Sequence, residues 1–294
     1  MASPGHSGGT QQIVIAEGAG HYRQPGLIER LGRALASVPM SSALRSRLKR
    51  WYVAALNFES GGKGLRAMLP EGEIVRVLPE HAHLGWNPDE YRAFRAAVRP
   101  GTIALDVGAN VGAYALLLGQ WVGPTGSVYA FEPAHSAFDG LSRHIALNGL
   151  EGVVQPVKTA VGATTTTLPF LEGAAAGQGR LLRPSENREA AVDIAVTTID
   201  EFCEQRKLTP AFIKIDVEGS ELDVLRGARE TIRRCRSTVA LFVEVHPTVW
   251  TRIGLSSRDL LEEFARQALD AEPLVPGRDP FSVEGVSIRL RPRL

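Results

Sequence analysis

The run from residue 102 to residue 121 constrains the fold of this chain most strongly, because it joins an apolar segment to a helix-like segment through a short turn with two glycines. Residues 102–107 (TIALDV) predict a buried strand, and residues 113–121 predict a helix. The turn between them reads Gly-Ala-Asn-Val-Gly from Gly108 to Gly112. A buried strand that turns sharply into a helix is the opening unit of a parallel α/β sheet.

The same alternation of apolar strands and helices continues from about residue 85 to residue 294. The strands are predicted at 102–107, 127–131, 153–161, 211–217, 239–245 and 287–290, and the helices at 90–98, 113–121, 136–148, 198–206, 221–234 and 258–268. Short, nearly continuous apolar strands that alternate with helices are typical of a parallel sheet covered on both faces. We therefore predict an α/β domain over residues 85–294, built on a doubly wound, mostly parallel, Rossmann-like sheet.

Two segments depart from this pattern. Residues 163–193 are rich in Thr, Ala and Gly and predict an irregular insertion, with strand-like alternation at 165–171 and 192–196 around a flexible middle. We expect this insertion to be a candidate substrate region.

The N-terminal part is predicted to comprise a disordered tail over residues 1–12 and a partly helical extension over residues 13–84. Its helical pattern covers residues 27–56 and is interrupted around Pro39. Residues 30–50 contain six basic side chains and no acidic one. Two interpretations stay open, a basic amphipathic helix that contacts an anionic partner or a membrane, and a solvated helix face.

Composition excludes several classes of protein. A formal net charge of +1 gives no global reason to expect a nucleic-acid partner. No apolar run is long enough to span a bilayer, and the first residues lack the pattern of a secretory signal. The two cysteines, Cys203 and Cys235, are too far apart for a CxxC metal site, which favours a reducing cytoplasm. We expect a soluble cytoplasmic protein, and a homo-oligomer is compatible with this composition.

The glycine turn predicts a ligand site, because ligands of open α/β sheets bind at the carboxyl ends of the strands. Glycine lets the backbone turn tightly and approach a ligand closely. Glu132 stands twenty residues after Gly112, at the end of the second strand, and is followed by Pro133. A carboxylate there can accept both hydroxyl protons of a ribose.

The spacing of the glycines separates two cofactors. A nicotinamide dinucleotide needs G-x-G-x-x-G so that its pyrophosphate rests on a helix N-terminus, whereas this turn is G-x-x-x-G with Asp106 two residues ahead. S-adenosylmethionine (SAM) carries an ammonium and a sulfonium but no phosphate, and acidic groups and carbonyl oxygens suit those charges. The pattern therefore favours SAM, with a sharp turn that binds nothing as the structural alternative. The predicted cofactor-binding residues are Asp106, Gly108, Asn110, Gly112, Glu132 and Pro133.

Several motifs in a fixed order carry a family resemblance. The chain contains LDVGANVGAYALLL, VYAFEP, LNGL, VTTIDEF, FIKIDVEGSELDVLRGA and FVEVH, over about residues 90–250. In this it resembles the FkbM family of SAM-dependent methyltransferases. The resemblance implies a class I methyltransferase fold and methyl transfer to hydroxyl oxygens of sugars, glycolipids or polyketide-type secondary metabolites. An NAD-dependent oxidoreductase and a non-catalytic SAM- or nucleoside-binding protein are the alternatives.

A second set of ionisable residues ends two later strands. Asp216 and Glu218 follow one strand, and Glu244 and His246 end the next, so all four are expected at the edge of the sheet that holds the glycine turn. Methyl transfer to a hydroxyl is an in-line displacement that needs a base. His246 is the first candidate for that base and Glu218 the second. Asp216 and Glu244 are predicted to steer substrate hydroxyls, to orient His246 or to hold a divalent ion such as Mg²⁺.

Two purely structural interpretations of this region also stay open. His246 is also compatible with a satisfied histidine that caps a strand end. For the segment that follows Glu218, we expect Ser220 to cap the next helix and Glu221 to be favoured by the helix dipole.

Overall fold

A computed structural model of the chain describes residues 41–82, 84–172, 179–182 and 188–293. The predicted tail over residues 1–12 and the extension up to residue 40 lie outside the described residues, and so do Arg30 and Arg33. Among the described residues, no helix is both long and apolar enough to cross a bilayer.

The helices are α1 (Ser42–Glu59), α2 (Pro88–Ala97), α3 (Ala113–Val122), α4 (His135–Leu147), α5 (Ile199–Arg206), α6 (Glu221–Arg226), α7 (Arg229–Arg234), α8 (Pro247–Arg252) and α9 (Ser257–Arg266), with short 3-10 helices at Pro79–His81 and Pro280–Ser282. The strands are β1 (Leu65–Met68), β2 (Ile74–Val77), β3 (Ile103–Val107), β4 (Ser127–Phe131), β5 (Val154–Val157), β6 (Ala160–Val161), β7 (Thr166–Leu171), β8 (Arg180–Leu181), β9 (Ala191–Thr197), β10 (Phe212–Ile215), β11 (Ala240–Val245), β12 (Leu269–Pro273) and β13 (Val286–Pro292).

The main sheet has seven strands in the order β12-β13-β11-β10-β3-β4-β5. The four pairings from β11 to β5 are parallel, and β13 runs antiparallel to both β11 and β12. The chain order therefore reverses direction at β3, as in a Rossmann-like sheet. The predicted doubly wound, mostly parallel α/β fold is confirmed.

Helices cover both faces of this sheet because successive strand residues point to opposite sides. On β10, Phe212 packs into a core formed with α2, α3 and α4, whereas Ile213 packs into a core formed with α5 to α9. Phe242 and Val243 divide in the same way on β11. These two cores hold the strand ends in fixed positions, and the candidate site is built from those ends.

A second sheet, with the order β6-β9-β7-β8, lies within and beside the predicted insertion. The strand-like segments at 165–171 and 192–196 form the antiparallel pair β7 and β9. The single strand predicted over 153–161 is wrong, because residues 154–157 pair with β4 while residues 160–161 pair with β9. The chain thus passes from one sheet to the other at Lys158 and Thr159.

The helix predicted over 221–234 is also wrong in one respect, because it divides into α6 and α7 at Gly227. A Cβ at Gly227 would lie only 2.1 Å from the carbonyl oxygen of Gly162. The carboxylate of Asp200 accepts the backbone N–H groups of Glu230 and Thr231 at 3.0 and 2.6 Å, so that a side chain from α5 satisfies the start of α7.

The N-terminal extension contains more than the predicted helix. Besides α1, it forms a hairpin of β1 and β2, in which Leu65 pairs with Val77 and Met68 with Ile74. Val75 and Val77 are buried in the same core as α2 and α3. The domain boundary at residue 85 stays a prediction, since the hairpin before it shares this core.

Candidate functional site

A cleft opens to solvent at the carboxyl ends of β3, β4 and β10. Seven of the predicted site residues line it: Gly108, Asn110, Glu132, Pro133, Asp216, Glu218 and Glu244. Three others, Asp106, Gly112 and His246, are not among the lining residues. The two motifs that sequence analysis treated separately therefore form the walls of a single cleft.

The first glycine of the turn is required by the approach of a neighbouring strand end. Gly108 has φ of 84°, and a Cβ placed on it would lie 1.6 Å from the backbone oxygen of Asp216. The N–H groups of Gly108 and Ala109 both donate to the carbonyl of Phe131, at 3.0 and 2.9 Å. This glycine therefore holds the turn against β4 and the end of β10.

The second glycine serves helix packing. Gly112 precedes α3 with φ of 99°, and a Cβ there would lie 2.8 Å from the Leu141 side chain on α4. Between the two glycines, Asn110 also has a positive φ, of 50°, and its buried Oδ1 atom accepts no hydrogen bond. An acceptor oxygen on a residue that lines the cleft is suited to a ligand that donates.

Glu132 is a buried carboxylate that the backbone holds in place. Its oxygens accept N–H groups of Asn110 at 2.9 Å and Ala134 at 2.8 Å. Burial raises the pKa of Glu132 to about 7, although these two hydrogen bonds favour the charged form. Each oxygen keeps lone pairs for a ligand.

A buried lysine that sequence analysis missed lies beneath the cleft. Lys214 Nζ is 2.9 Å from Asp216 Oδ2 and 3.9 Å from Asp106 Oδ1. Burial opposes its charge, but Asp216 and Asp106 raise the pKa of Lys214 well above its ordinary value. For Asp106, burial outweighs the attraction of Lys214 and raises its pKa to about 6. The signal was present in the sequence, because a lysine two residues before an aspartate on a buried strand shares its face.

The same buried network reaches α2 and β13. Glu90 accepts a hydrogen bond from the Ser287 hydroxyl at 2.5 Å and another from the Tyr114 hydroxyl. Burial raises the pKa of Glu90 even though Lys214 lowers it. Together with Glu244 on β11, acidic side chains from β3, from the end of β10 and from α2 therefore act on Lys214.

His246 is buried behind the cleft and is oriented by a residue that the sequence assigned to another role. Its Nδ1 atom is 2.7 Å from Glu221 Oε1, and Glu221 is fully buried. Glu221 also accepts the Trp250 indole N–H at 2.6 Å and the Gly219 N–H at 2.9 Å. The prediction that Glu221 acts only through the helix dipole is incomplete, since its carboxylate positions the imidazole. Ser220 precedes α6, but its side chain makes no capping hydrogen bond, so the predicted Ser220 cap is wrong.

The other imidazole nitrogen of His246 faces acidic side chains. Nε2 lies 3.7 Å from Glu244 Oε1, 3.8 Å from Asp216 Oδ1 and 3.9 Å from Glu218 Oε2. Burial alone would lower the pKa of His246, but Glu221 and the nearby Glu244 and Asp216 raise it to about 11. The surrounding carboxylates therefore favour a positive charge at this nitrogen.

The three carboxylates near His246 Nε2, those of Asp216, Glu218 and Glu244, differ in the direction of their pKa shifts. Burial raises the pKa of Glu244 to about 7, and the charge of Asp216 adds to that effect. Burial opposes the charge of Asp216, but Lys214 and His246 hold its pKa below the ordinary value. Burial raises the pKa of Glu218, whose side chain is 37% exposed. The catalytic roles assigned to these residues from sequence stay predictions.

The second sheet also contributes residues that line the cleft. Phe170 of β7 and both Arg180 and Leu181 of β8 line it, together with Thr159 and Val161. Among the described lining residues, Arg180 is the one with a cationic side chain. Phe170, Arg180 and Leu181 belong to the predicted insertion, which therefore contributes both apolar surface and one cation to the lining.

Comparison with known proteins places this cleft in context. A sequence model of the methyltransferase FkbM domain matches residues 106–270. The hexuronic acid methyltransferase AglP of Haloferax volcanii is 26% identical over 222 residues, which cover 75% of this chain and 79% of that protein. The methyltransferase sdnD of Sordaria araneosa is 28% identical over 156 residues, covering 43% of this chain and 60% of that protein. The crystal structure of methyltransferase FkbM from Methylobacillus flagellatus has 19% identity and a TM-score of 0.43; the match covers 69% of this chain and spans half of that one.

Proposed function

This chain belongs to the FkbM methyltransferase family, and on that premise we propose that it transfers the methyl group of SAM to a hydroxyl oxygen of a sugar or a glycosylated metabolite. The observation that carries the proposal is the shared cleft, in which the glycine turn and Glu132 lie beside Asp216, Glu218 and Glu244. The relative named as a hexuronic acid methyltransferase supports a sugar as the acceptor.

The chemistry of the cleft fits SAM. The unpaired Oδ1 of Asn110 and the Glu132 carboxylate are acceptors, which suit ribose hydroxyls and an ammonium group. A pyrophosphate would need donors, and the N–H groups of Gly108 and Ala109 are already committed to Phe131. Gly108, Asn110, Glu132 and Pro133 would hold the cofactor, and bound SAM would supply an electrophilic methyl group.

The residues of this chain would orient the acceptor and take its proton. We assign proton acceptance to Glu218, because it lines the cleft and is partly exposed, whereas His246 lies behind the lining. Asp216 and Glu244 also line the cleft and would accept hydrogen bonds from acceptor hydroxyls. The apolar wall of Phe170 and Leu181 would exclude water from the transferred group.

The first experiment tests cofactor and acceptor separately. SAM, S-adenosylhomocysteine (SAH) and NAD are compared for their effect on thermal unfolding. SAM and SAH at a hundredfold excess over Kd should each stabilise the protein by about 2.7 kcal/mol, and NAD should not. Labelled SAM is then incubated with uronic acid glycosides, neutral glycosides and hydroxylated polyketides, and products that gain a methyl group are located by mass spectrometry and NMR. A shift with NAD alone, or a methyl group found only on nitrogen or carbon, would contradict the proposal.

The second experiment tests the assignment of the base. Glu218→Gln should lower kcat by roughly 10²- to 10⁴-fold, the usual contribution of a general base, while the Kd for SAH stays at the wild-type value. Glu204→Gln, an exposed substitution on α5, is the matched control and should leave kcat unchanged. Full activity in Glu218→Gln would assign the base to another residue.

A further inference from the structure

Asp216 and Glu244, which line the cleft, and His246, which lies behind them, direct ligand-type atoms at one another. One ligand atom each from Asp216, Glu244 and His246 can be chosen so that all three lie within 4.8 Å of one another. The separations from His246 Nε2 are 3.8 Å to Asp216 Oδ1 and 3.7 Å to Glu244 Oε1. Both distances exceed a hydrogen bond, so no direct hydrogen bond joins these atoms.

The spacing matches atoms that share a cation. Metal bonds of about 2.1 Å to nitrogen and oxygen place two ligands about 3.0 Å apart at a right angle and about 3.4 Å apart at a tetrahedral angle. The observed separations of 3.7 and 3.8 Å therefore need only a contraction of a few tenths of an ångström on each side. Rotations of the carboxylate side chains can provide that contraction without any change of the strands.

The imidazole is fixed in the orientation that a metal ligand needs. His246 is 3% exposed, and its Nδ1 atom is bound to the buried Glu221, which leaves Nε2 directed at the acidic group. Glu221 is held in turn by the Trp250 and Gly219 N–H groups. A carboxylate that holds the far nitrogen of a histidine in this way is the usual second layer of a metal site, where it sets both the tautomer and the ring orientation.

Asp216 is likewise divided between two roles. Its Oδ2 atom accepts the Lys214 ammonium at 2.9 Å, so its Oδ1 atom stays available on the side of His246. Glu218 Oε2 stands 3.9 Å from the same Nε2 atom. Three carboxylates therefore converge on one imidazole nitrogen, and a cation between them, either the imidazole proton or a metal ion that replaces it, offsets the cost of burying them.

We propose that Asp216 Oδ1, Glu244 Oε1 and His246 Nε2 bind one divalent cation, with its remaining coordination positions open to the cleft. The sequence suggested only the two carboxylates as ligands, which would suit Mg²⁺. The nitrogen ligand changes the preferred ion to one that accepts both nitrogen and oxygen, such as Mn²⁺. Asp216 and Glu244 line the cleft, so an acceptor hydroxyl can reach the open positions. The site goes beyond the proposed function, and metal binding can be measured without turnover.

Mn²⁺ binding to the full chain tests this site directly. The purified protein is stripped with a chelator and titrated with Mn²⁺, and bound ion is measured by electron paramagnetic resonance. We expect one Mn²⁺ per chain, with a nitrogen coupling from imidazole in the pulsed spectrum. Asp216→Asn and Glu244→Gln should each weaken Mn²⁺ binding by at least about tenfold, and Glu221→Gln by roughly 10- to 100-fold as a positioning residue. Glu262→Gln, an exposed carboxylate on α9, is the control and should bind Mn²⁺ as the wild type does.

Several results would overturn the proposal. These are the absence of stoichiometric Mn²⁺ in the wild type, the absence of a nitrogen coupling, and Mn²⁺ binding that Asp216→Asn and Glu244→Gln leave unchanged in variants whose circular dichroism shows them to be folded. SAH titrations on the same samples add one more: if both variants lose SAH affinity and the wild type binds no Mn²⁺, the acidic group holds the ammonium of the cofactor instead. Methyl transfer by the metal-free protein would support the proposed function and show that it does not need the metal. Bound Mn²⁺ without methyl transfer to any acceptor would contradict the proposed function and support the metal site.

Discussion

The affinity for SAH should depend on pH through a single carboxylate, Glu132. Burial raises the pKa of Glu132 to about 7 in the free protein, and ribose hydroxyls need its ionised form as their acceptor. Protonation therefore competes with binding, and the affinity should rise as the pH rises through 7. The ionised fraction is about 0.1 at pH 6 and about 0.9 at pH 8, so the Kd for SAH should be roughly tenfold weaker at pH 6.

The variant Glu132→Gln separates this carboxylate from its neighbours. Asp106 and Asp216 are the other acidic groups that act on Glu132, and the pKa of Asp106, at about 6, lies within the same pH range. Loss of charge-assisted hydrogen bonds to the ribose should cost about 2 kcal/mol at pH 8, or roughly thirtyfold in Kd. The variant should also bind SAH with the same Kd at pH 6 and pH 8, since its amide does not ionise.

Isothermal titration calorimetry at pH 6, 7 and 8 measures these affinities for the wild type, for Glu132→Gln and for a control. Glu172→Gln is a suitable control, because Glu172 also accepts a backbone N–H at the start of α4, at 2.9 Å from His135 N, but does not line the cleft. It should keep both the wild-type affinity and the pH dependence. A tenfold pH dependence that persists in Glu132→Gln would refute the reasoning, because another group would then be the one that titrates. A urea unfolding curve for each variant establishes that the protein is folded.

Two further predictions concern stability and are checked by urea unfolding. Gly227→Ala should destabilise the protein by about 1–3 kcal/mol, because the new methyl group meets the Gly162 carbonyl oxygen, and a backbone atom cannot move aside easily. Gly152→Ala is the control and should change stability far less, because a Cβ at Gly152 has nothing within 4 Å. Equal effects of the two substitutions would contradict the steric explanation. Arg229→Met should cost about 2 kcal/mol at pH 7, since it leaves the buried Glu263 carboxylate without its bidentate partner at 2.6 and 2.7 Å, although 42% exposure of Arg229 reduces the penalty. The pKa of Glu263 is lowered in the folded protein, so this stability is fully present above the ordinary value of 4.5 and is lost as the pH falls below 4.5 through the folded pKa. A cost that stays constant over that range would be inconsistent with an ion pair.

The main sheet was predictable because its strands carry their own signal. Residues 127–131 and 239–245 are short apolar runs between turn residues, and burial on both faces dictates that composition. The strand boundaries at 154–161 were not predictable in the same way. Both halves of that run are extended, and the difference lies in which neighbour each half pairs with, which is set by residues more than thirty positions away in β9.

The break between α6 and α7 has a similar cause. The periodicity of residues 221–234 favours a continuous helix, and Gly227 within it costs only about 1 kcal/mol relative to alanine. The helix ends there because the Gly162 backbone approaches Gly227 so closely that no side chain fits. A contact between residues that are distant in sequence leaves no periodic signal in either segment.

In the candidate site, the residue types were predictable but their partners were not. Asp216, Glu244 and His246 could be predicted, because acidic and imidazole groups at the ends of buried strands are uncommon. Glu221 was predicted to be favoured by the helix dipole, since the first turn of a helix is where exposed glutamates are favoured. Only the packing of α6 against Trp250 and His246 turns that carboxylate inward and excludes water from it.

Gly108 connects the glycine turn with the acidic group. This contact offers a second reason for a glycine in the motif, besides close approach of a ligand. A side chain at Gly108 would collide with the backbone oxygen of Asp216. Glycine is therefore required at this position by a contact within the protein, whether or not a ligand is bound. The same Asp216 directs its carboxylate at Lys214 and His246. A shift of the turn on cofactor binding would therefore press on the end of β10 and move the Asp216 carboxylate with it. The glycine turn and the acidic group are thus parts of one structural unit, and under the proposed function the position of the cofactor and the position of the acceptor would depend on the same backbone contact.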